Sequence, residues 1–145
     1  MPQREPSAVA RAQIRLVLFD LDGTFADTAP DLAYALNQIL ARHGRAQLTL
    51  DHIRPQVSHG GMALIRLGFE IEPEHPQFEH YRRELLDCYR QNLSRATTLF
   101  PGIEELLVRL EGYGIRWGIV TNKPAWLTDP LMEQLGLAER AACIV

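Results

Sequence analysis

Residues 14–24 read IRLVLFDLDGT, and this stretch decides the fold. Apart from Arg15, the run Ile14–Phe19 is apolar, branched or aromatic, and it passes straight into Asp20. A short apolar run of this kind, closed by turn residues, predicts a buried strand of a parallel sheet. The pattern recurs at Ile115–Val120, which ends in Thr121-Asn122-Lys123-Pro124, and a third apolar stretch begins at Ala141–Val145. Strands alternating with helical segments predict an α/β fold with a Rossmann-like parallel sheet.

Residues 30–43 place Leu32, Leu36, Ile39 and Leu40 on one helical face, and Gly44 closes that helix. Leu50–Val57 reads as a short helix broken near Pro55, Ser58-His59-Gly60-Gly61 as a loop, and Met62–Phe69 as another short helix. Residues 77–93 predict a long amphipathic helix with Phe78, Tyr81, Leu85, Cys88 and Tyr89 inward. Pro101 and Gly102 open a helix carrying Ile103, Leu106, Leu107 and Leu110, and a last helix runs to about Leu135 with Pro130 inside it. The stretch 27–98 is too long for one crossover and has apolar faces of its own. It reads as a helical cap inserted over the C-terminal end of the first strand. The expected organisation is a disordered tail over 1–13, a Rossmann-like core over 14–26 and 99–145, and the cap over 27–98.

Composition narrows the function. Of 145 residues, 46% are apolar and 23% charged, enough to bury a core and to exclude wholesale disorder. No apolar run approaches the roughly 20 residues of a membrane span. A formal charge of −3 gives no reason to expect nucleic acid or an anionic membrane as partner. Cys88 and Cys143 form no C-x-x-C pair, which fits a reducing compartment, and residues 1–13 lack the apolar core of a secretory signal. A cytoplasmic location is expected. Of the 15 basic residues, Lys123 is the only lysine.

The chemistry gathers at strand ends, where open α/β sheets bind ligands. Asp20 and Asp22 are two apart, so on a strand they share a face and converge on one ligand or cation. Such a pair repels itself unless a hard cation is present, and Mg²⁺ favours carboxylate together with phosphate oxygens. Gly23 permits a sharp turn and close ligand approach, and Thr24 can hydrogen-bond within the turn. A polar turn would use the same residues; the apolar strand before them and Gly-Thr after them favour a site. Thr121 and Asn122, before a helix, are donors suited to a phosphate, and equally suited to capping that helix.

Asp-Leu-Asp-Gly-Thr after one strand and Thr-Asn-Lys after a later one resemble the first two motifs of the haloacid dehalogenase superfamily, and the helical insert resembles its C1-type cap. The run Leu99–Arg140, with LFPGIEELLVRL, GIVTNKP and LMEQLGLAER, is similar to the phosphoglycolate phosphatase group and to bacterial N-acetylmuramic acid 6-phosphate phosphatases. The resemblance implies a Mg²⁺-dependent phosphomonoesterase acting on a small phosphorylated metabolite, as monomer or homodimer. Asp20 would be the nucleophile and Asp22 the general acid and base. The Asp20 carboxylate and Asp22 carbonyl would bind Mg²⁺, and Gly23, Thr121, Asn122 and Lys123 would bind phosphate. The acid at Asp22 favours phosphate ester hydrolysis over dehalogenation, and a phosphohexose mutase uses the same two aspartates.

The family's third-motif lysine and fourth-motif acids are not visible, since no lysine follows Lys123 and the last acid is Glu139. The core is therefore expected to lack its C-terminal strands, as in a truncated copy of an ordinary phosphatase; a catalytically inactive fragment is the alternative. In the cap, His59, Gly60 and Gly61 are candidates for setting specificity, against a plain interhelical turn. Arg15, Arg54 and Arg66 are candidates for a substrate carboxylate. None of the five histidines has a metal-ligand spacing. Trp117 and Trp126 read as core or cap-interface residues.

Overall fold

Residues 14–145 are described by the structure, a computed structural model; the tail expected over 1–13 lies outside the described residues. Along the chain run β1 (Leu16–Asp20), β2 (Ala26–Asp27), α1 (Ala29–Arg42), α2 (Leu50–Ile53), a 3₁₀ helix (Arg54–His59), α3 (Gly60–Phe69), α4 (Phe78–Arg90), β3 (Thr98–Leu99), α5 (Ile103–Gly112), β4 (Arg116–Val120) and α6 (Ala125–Gln134). β1 and β4 pair in parallel, Leu16 opposite Arg116 and Asp20 opposite Val120. The third apolar stretch runs parallel along the other edge of β4. Ala142 N donates to the Trp117 carbonyl at 2.7 Å, Val145 N to Ile119 O at 3.0 Å, and Thr121 N to Val145 O at 2.8 Å.

The inner face of the sheet is aromatic. Phe25 lies between Phe19 and Trp117, tilted against the first and stacked on the second, with ring centroids 5.5 Å apart on each side, and Trp117 Nε1 donates to Glu111 Oε1 at 3.0 Å. The outer face corrects one expectation. β1 is not buried on both sides, for Leu16 and Leu18 are 40% and 46% exposed. Alternation turns them away from Val17 and Phe19, and among the described residues β1 has a neighbour on one edge only.

The chain leaves the sheet through β2 and returns through β3. These pair antiparallel, Ala26 with Leu99 and Asp27 with Thr98. Asp31 braces the return: its buried carboxylate accepts from Ala96 N, Thr97 N at 2.9 Å and Thr97 Oγ1 at 2.7 Å. Between these strands α1 and α3 both lie against α4. Leu36, Ile39 and Leu40 meet Leu64, Ile65, Phe69 and Leu85 in one buried cluster. A Cβ on Gly68 would stand 3.0 Å from Leu36 Cδ1, so glycine is what lets α3 approach α1.

Two local readings change. Ser58–Gly61 is not a loop: the 3₁₀ helix runs through His59 and α3 starts at Gly60, whose φ of +82° makes the bend between them. In α5 the buried residue is Leu107, while Leu106 is exposed. Trp126 is partly exposed and meets α4, as its reading as a core or cap-interface residue allows, with the Arg90 guanidinium over its ring, 5.6 Å from the centroid. Pro130 has no N–H to give the Trp126 carbonyl one turn earlier, and Arg90 Nη1 donates to that carbonyl at 3.2 Å instead. No helix among the described residues is long and apolar enough to cross a membrane.

Candidate active site

β1 ends at Asp20, and the chain then turns through Leu21–Phe25. Ala26 N donates to Leu21 O at 3.0 Å and Gly23 N to Ala26 O at 3.1 Å; Gly23 adopts φ +80°, and buried Leu21 anchors the turn. Asp22 therefore stands in the turn and not on the strand. Strand alternation is not what brings the two carboxylates together; the turn does. Both line one cavity of about 230 Å³, together with Thr121, Asn122 and Lys123 from the end of β4.

The two aspartates differ in surroundings. Asp20 Oδ1 accepts from Leu21 N at 3.0 Å, and Thr24 Oγ1 approaches Oδ2 at 3.5 Å. Asp22 Oδ1 accepts from Thr28 Oγ1 at 2.6 Å and from Lys123 Nζ at 2.9 Å. The Lys123 ammonium also donates to the Tyr89 hydroxyl at 2.6 Å and lies 4.4 Å from the centre of its ring. Its side chain is 5% exposed, against 15% for Asp22. Burial pulls the Lys123 ammonium below the ordinary lysine range, opposed by the Asp22 charge. Burial, with the Asp22 and Asp31 carboxylates nearby, pushes the Tyr89 phenol above its ordinary range, so it stays a neutral hydroxyl.

Thr121 and Asn122 do not cap α6, which begins at Ala125 with Pro124 in the N-cap position. The Thr121 hydroxyl accepts from Lys123 N at 3.1 Å and holds the loop that carries the lysine. His59, Gly60 and Gly61 line the same cavity from the junction of the 3₁₀ helix and α3. Gly23 and Thr24 line a second cavity, of about 460 Å³, whose wall also includes Asp20 and Asp22. Of the arginines proposed for a substrate carboxylate, Arg54 borders that second cavity and pairs with Asp27 at 2.7 Å, while Arg66 pairs with Glu72 at 3.0 Å away from both. Arg15 precedes β1 and borders neither. Arg82 of α4 is the arginine in the first cavity's wall.

Tyr89, Thr28 and Arg82 were not legible as site residues. Tyr89 read correctly as inward on an amphipathic helix, but periodicity does not say that its hydroxyl meets a lysine 34 positions on. For Mg²⁺ the donor set is partial. Among the described residues no three His, Cys, Asp or Glu side chains cluster to hold a metal, and the Asp22 carboxylate is engaged by Lys123. The Asp20 carboxylate, which pairs with no cation among the described residues, and the Asp22 carbonyl would be the protein donors to an ion that takes one or two protein oxygens and fills its octahedron with phosphate and water.

The chain resembles known proteins over most of its length. A family profile described as haloacid dehalogenase-like hydrolase matches residues 17–145. The chain is 41% identical over 133 residues to an N-acetylmuramic acid 6-phosphate phosphatase of Pseudomonas putida, covering 92% of this chain and 60% of the relative. It is 40% identical over 131 residues to a phosphoglycolate phosphatase of Xanthomonas campestris pv. campestris, covering 90% and 59%. The crystal structure of a predicted phosphoglycolate phosphatase from Haemophilus somnus 129PT superimposes with a TM-score of 0.79 at 26% identity, covering 92% of this chain and 62% of that one. The chain thus spans about three-fifths of the length of the curated relatives it matches.

Proposed function

The chain belongs to the haloacid dehalogenase-like hydrolases, and we propose that it hydrolyses small phosphate monoesters through an aspartyl-phosphate. The observation that carries this reading is the convergence of Asp20 and Asp22 with Thr121, Asn122 and Lys123 on one cavity at the carboxyl ends of β1 and β4. Asp20, whose carboxylate carries no cation among the described residues, is the nucleophile. Its oxygen forms a bond to phosphorus as the ester P–O bond breaks. As the ester binds, Lys123 turns from Asp22 to the phosphoryl oxygens and Asp22 takes up a proton from solvent; it gives that proton to the leaving alkoxide, then takes one from the water that attacks the aspartyl-phosphate, and inorganic phosphate leaves with Asp20 restored. Gly23 lets the turn approach the ligand, Thr121 and Asn122 donate to the phosphoryl oxygens, and Lys123 adds positive charge beside them. The Asp20 carboxylate and the Asp22 carbonyl would hold Mg²⁺, which would supply neutralisation of phosphate charge.

The two substrate classes named for the relatives are not separated by identity, which is 41% for one and 40% for the other. Asp20 and Asp22 line two cavities, of about 230 and 460 Å³, which admit either class; phosphoglycolate, the smaller ester, is the substrate proposed for the test. His59, Gly60 and Gly61 border the part of the first cavity that the ester's organic group would fill. A cytoplasmic metabolite is the substrate class proposed.

The test is Mg²⁺-dependent phosphate release from phosphoglycolate by the wild-type chain and its Asp20→Asn and Asp22→Asn variants. Asp20→Asn abolishes turnover, and Asp22→Asn lowers kcat by about 10²–10⁴-fold. Full activity in Asp20→Asn refutes the mechanism. Phosphate binding without turnover in the wild type selects the second reading, an inactive phosphate-binding chain, which the partial metal donor set favours.

A further inference from the structure

We infer that Arg82 determines specificity in this cavity by taking a second anionic group of the substrate, a carboxylate, while the strand ends hold the phosphate; the role rests on the phosphatase reading above. α4 turns one stripe toward the cavity, Arg82, Leu86 and Tyr89, spaced i, i+4, i+7 as one helical face requires. Tyr89 touches Lys123 at the phosphate end. Arg82 stands seven residues earlier, about 10 Å along the axis, and helical side chains lean toward the N-terminus, which carries its guanidinium further from Lys123. Arg82 and Lys123 are thus two cationic side chains in the wall of one cavity, about two helical turns apart along α4, with Leu86 as an apolar wall between them.

The charges inside support the assignment. Lys123 is matched by Asp22, and Asp20 faces the phosphate end. Arg82 pairs through Nη1 with Glu79 Oε1 at 3.1 Å, one helical turn away, the two side chains being 32% and 57% exposed. A pair this exposed contributes little, so a ligand carboxylate able to engage the guanidinium fork with two oxygens can replace Glu79. Arg54 and Arg66 are held outside this cavity by Asp27 and Glu72.

Phosphoglycolate and ethyl phosphate separate the two parts of the claim, since they differ only by a carboxylate in place of a methyl group. Binding of each is measured by calorimetry, and turnover by phosphate release, for the wild type, Arg82→Gln, Arg82→Lys and Arg66→Gln. Each variant's thermal melt shows that it is folded. The wild type prefers phosphoglycolate by about 10-fold or more, the worth of one charge-assisted contact. Arg82→Gln brings the ratio close to one, Arg82→Lys keeps part of it, and Arg66→Gln leaves the ratio at the wild-type level. An unchanged ratio in Arg82→Gln overturns the role of Arg82. Equal binding of both esters by the wild type overturns the second-anion site and leaves the phosphatase reading standing. Binding of neither ester overturns both.

Discussion

Replacing Tyr89 by phenylalanine removes one oxygen from the centre of this site and nothing else. The ring stays, with its face 4.4 Å from the Lys123 ammonium, and the acceptor 2.6 Å from Nζ is lost. A hydrogen bond to a charged group contributes about 1.5–3 kcal/mol, and because Lys123 keeps Asp22 the cost here is placed at about 2 kcal/mol. For a chain of this size about 3–4 °C of Tm follows each kcal/mol, so Tyr89→Phe lowers Tm by about 6–8 °C. Lys123→Met leaves the Asp22 carboxylate with the Thr28 hydroxyl and costs about 3 kcal/mol, the low end for breaking a buried pair, since Asp22 keeps some contact with water. On that background the Tyr89 hydroxyl has lost its donor, and its removal costs little. The double-mutant cycle, from urea melts of the four proteins, thus gives a coupling of about 1–2 kcal/mol. Costs that add within about 0.5 kcal/mol refute the contact. A second readout is direct. Lys123 is the only lysine, so a chain labelled with ¹⁵N-lysine shows one side-chain ammonium signal, and Tyr89→Phe must move it.

Three further outcomes are expected. In Gly118→Ala the new methyl stands 2.7 Å from the Cys143 carbonyl, whose oxygen is fixed by Ile119 N at 3.0 Å; overpacking of about 2–3 kcal/mol lowers the urea midpoint, and an unmoved midpoint counts against the pairing of residues 142–145 with β4. Asp31→Asn puts an amide donor among the N–H groups of Ala96 and Thr97, costing about 2–3 kcal/mol and accelerating hydrogen exchange at those two amides; unchanged exchange there refutes the brace. Hydrogen bonds from Arg140 and then Trp117 hold the Glu111 carboxyl below its ordinary value of 4.5. A depressed carboxylate stabilises the fold above its unfolded value and loses that contribution as pH falls through the folded one. The Tm difference between wild type and Glu111→Gln accordingly shrinks below about pH 4.5, and a difference constant with pH contradicts the contact.

Much of the fold was written in short stretches. Apolar runs ending at Asp20 and Val120 fixed two strands and their parallel pairing, because a strand's length and its closing turn are local properties. Helix faces followed from spacing, except where two apolar residues are adjacent. Leu106 and Leu107 both satisfy a 3.6-residue period, and only the approach of β4 decides that Leu107 is the one covered. The pairing of β2 with β3 joins residues about 70 positions apart through two-residue strands, too short to show any alternation. Gly60-Gly61 read as a loop because glycine weakens helices, yet Gly61 is packed so closely on Leu86 that a Cβ there would lie 3.3 Å from its Cδ2, and that tertiary contact outweighs the propensity.

The site divides along the same line, and Lys123 shows why. Its place at a strand end and its uniqueness among fifteen basic residues were plain from the sequence. Its partners were not, since Asp22 lies 101 positions before it and Tyr89 34. Their meeting depends on β1 and β4 being neighbours and on α4 lying over the strand ends. The surroundings then explain the residue type. One carboxylate oxygen, one phenol oxygen and an aromatic face converge on a point, which a compact ammonium with three rotatable donors can satisfy while almost wholly buried. A guanidinium presents a planar fork suited to two parallel acceptors and has no such arrangement here. Lys123→Arg is therefore not a conservative change at this position. It keeps the charge and loses the fit, displacing either Tyr89 or the Asp22 carboxylate on which the proposed proton transfer depends.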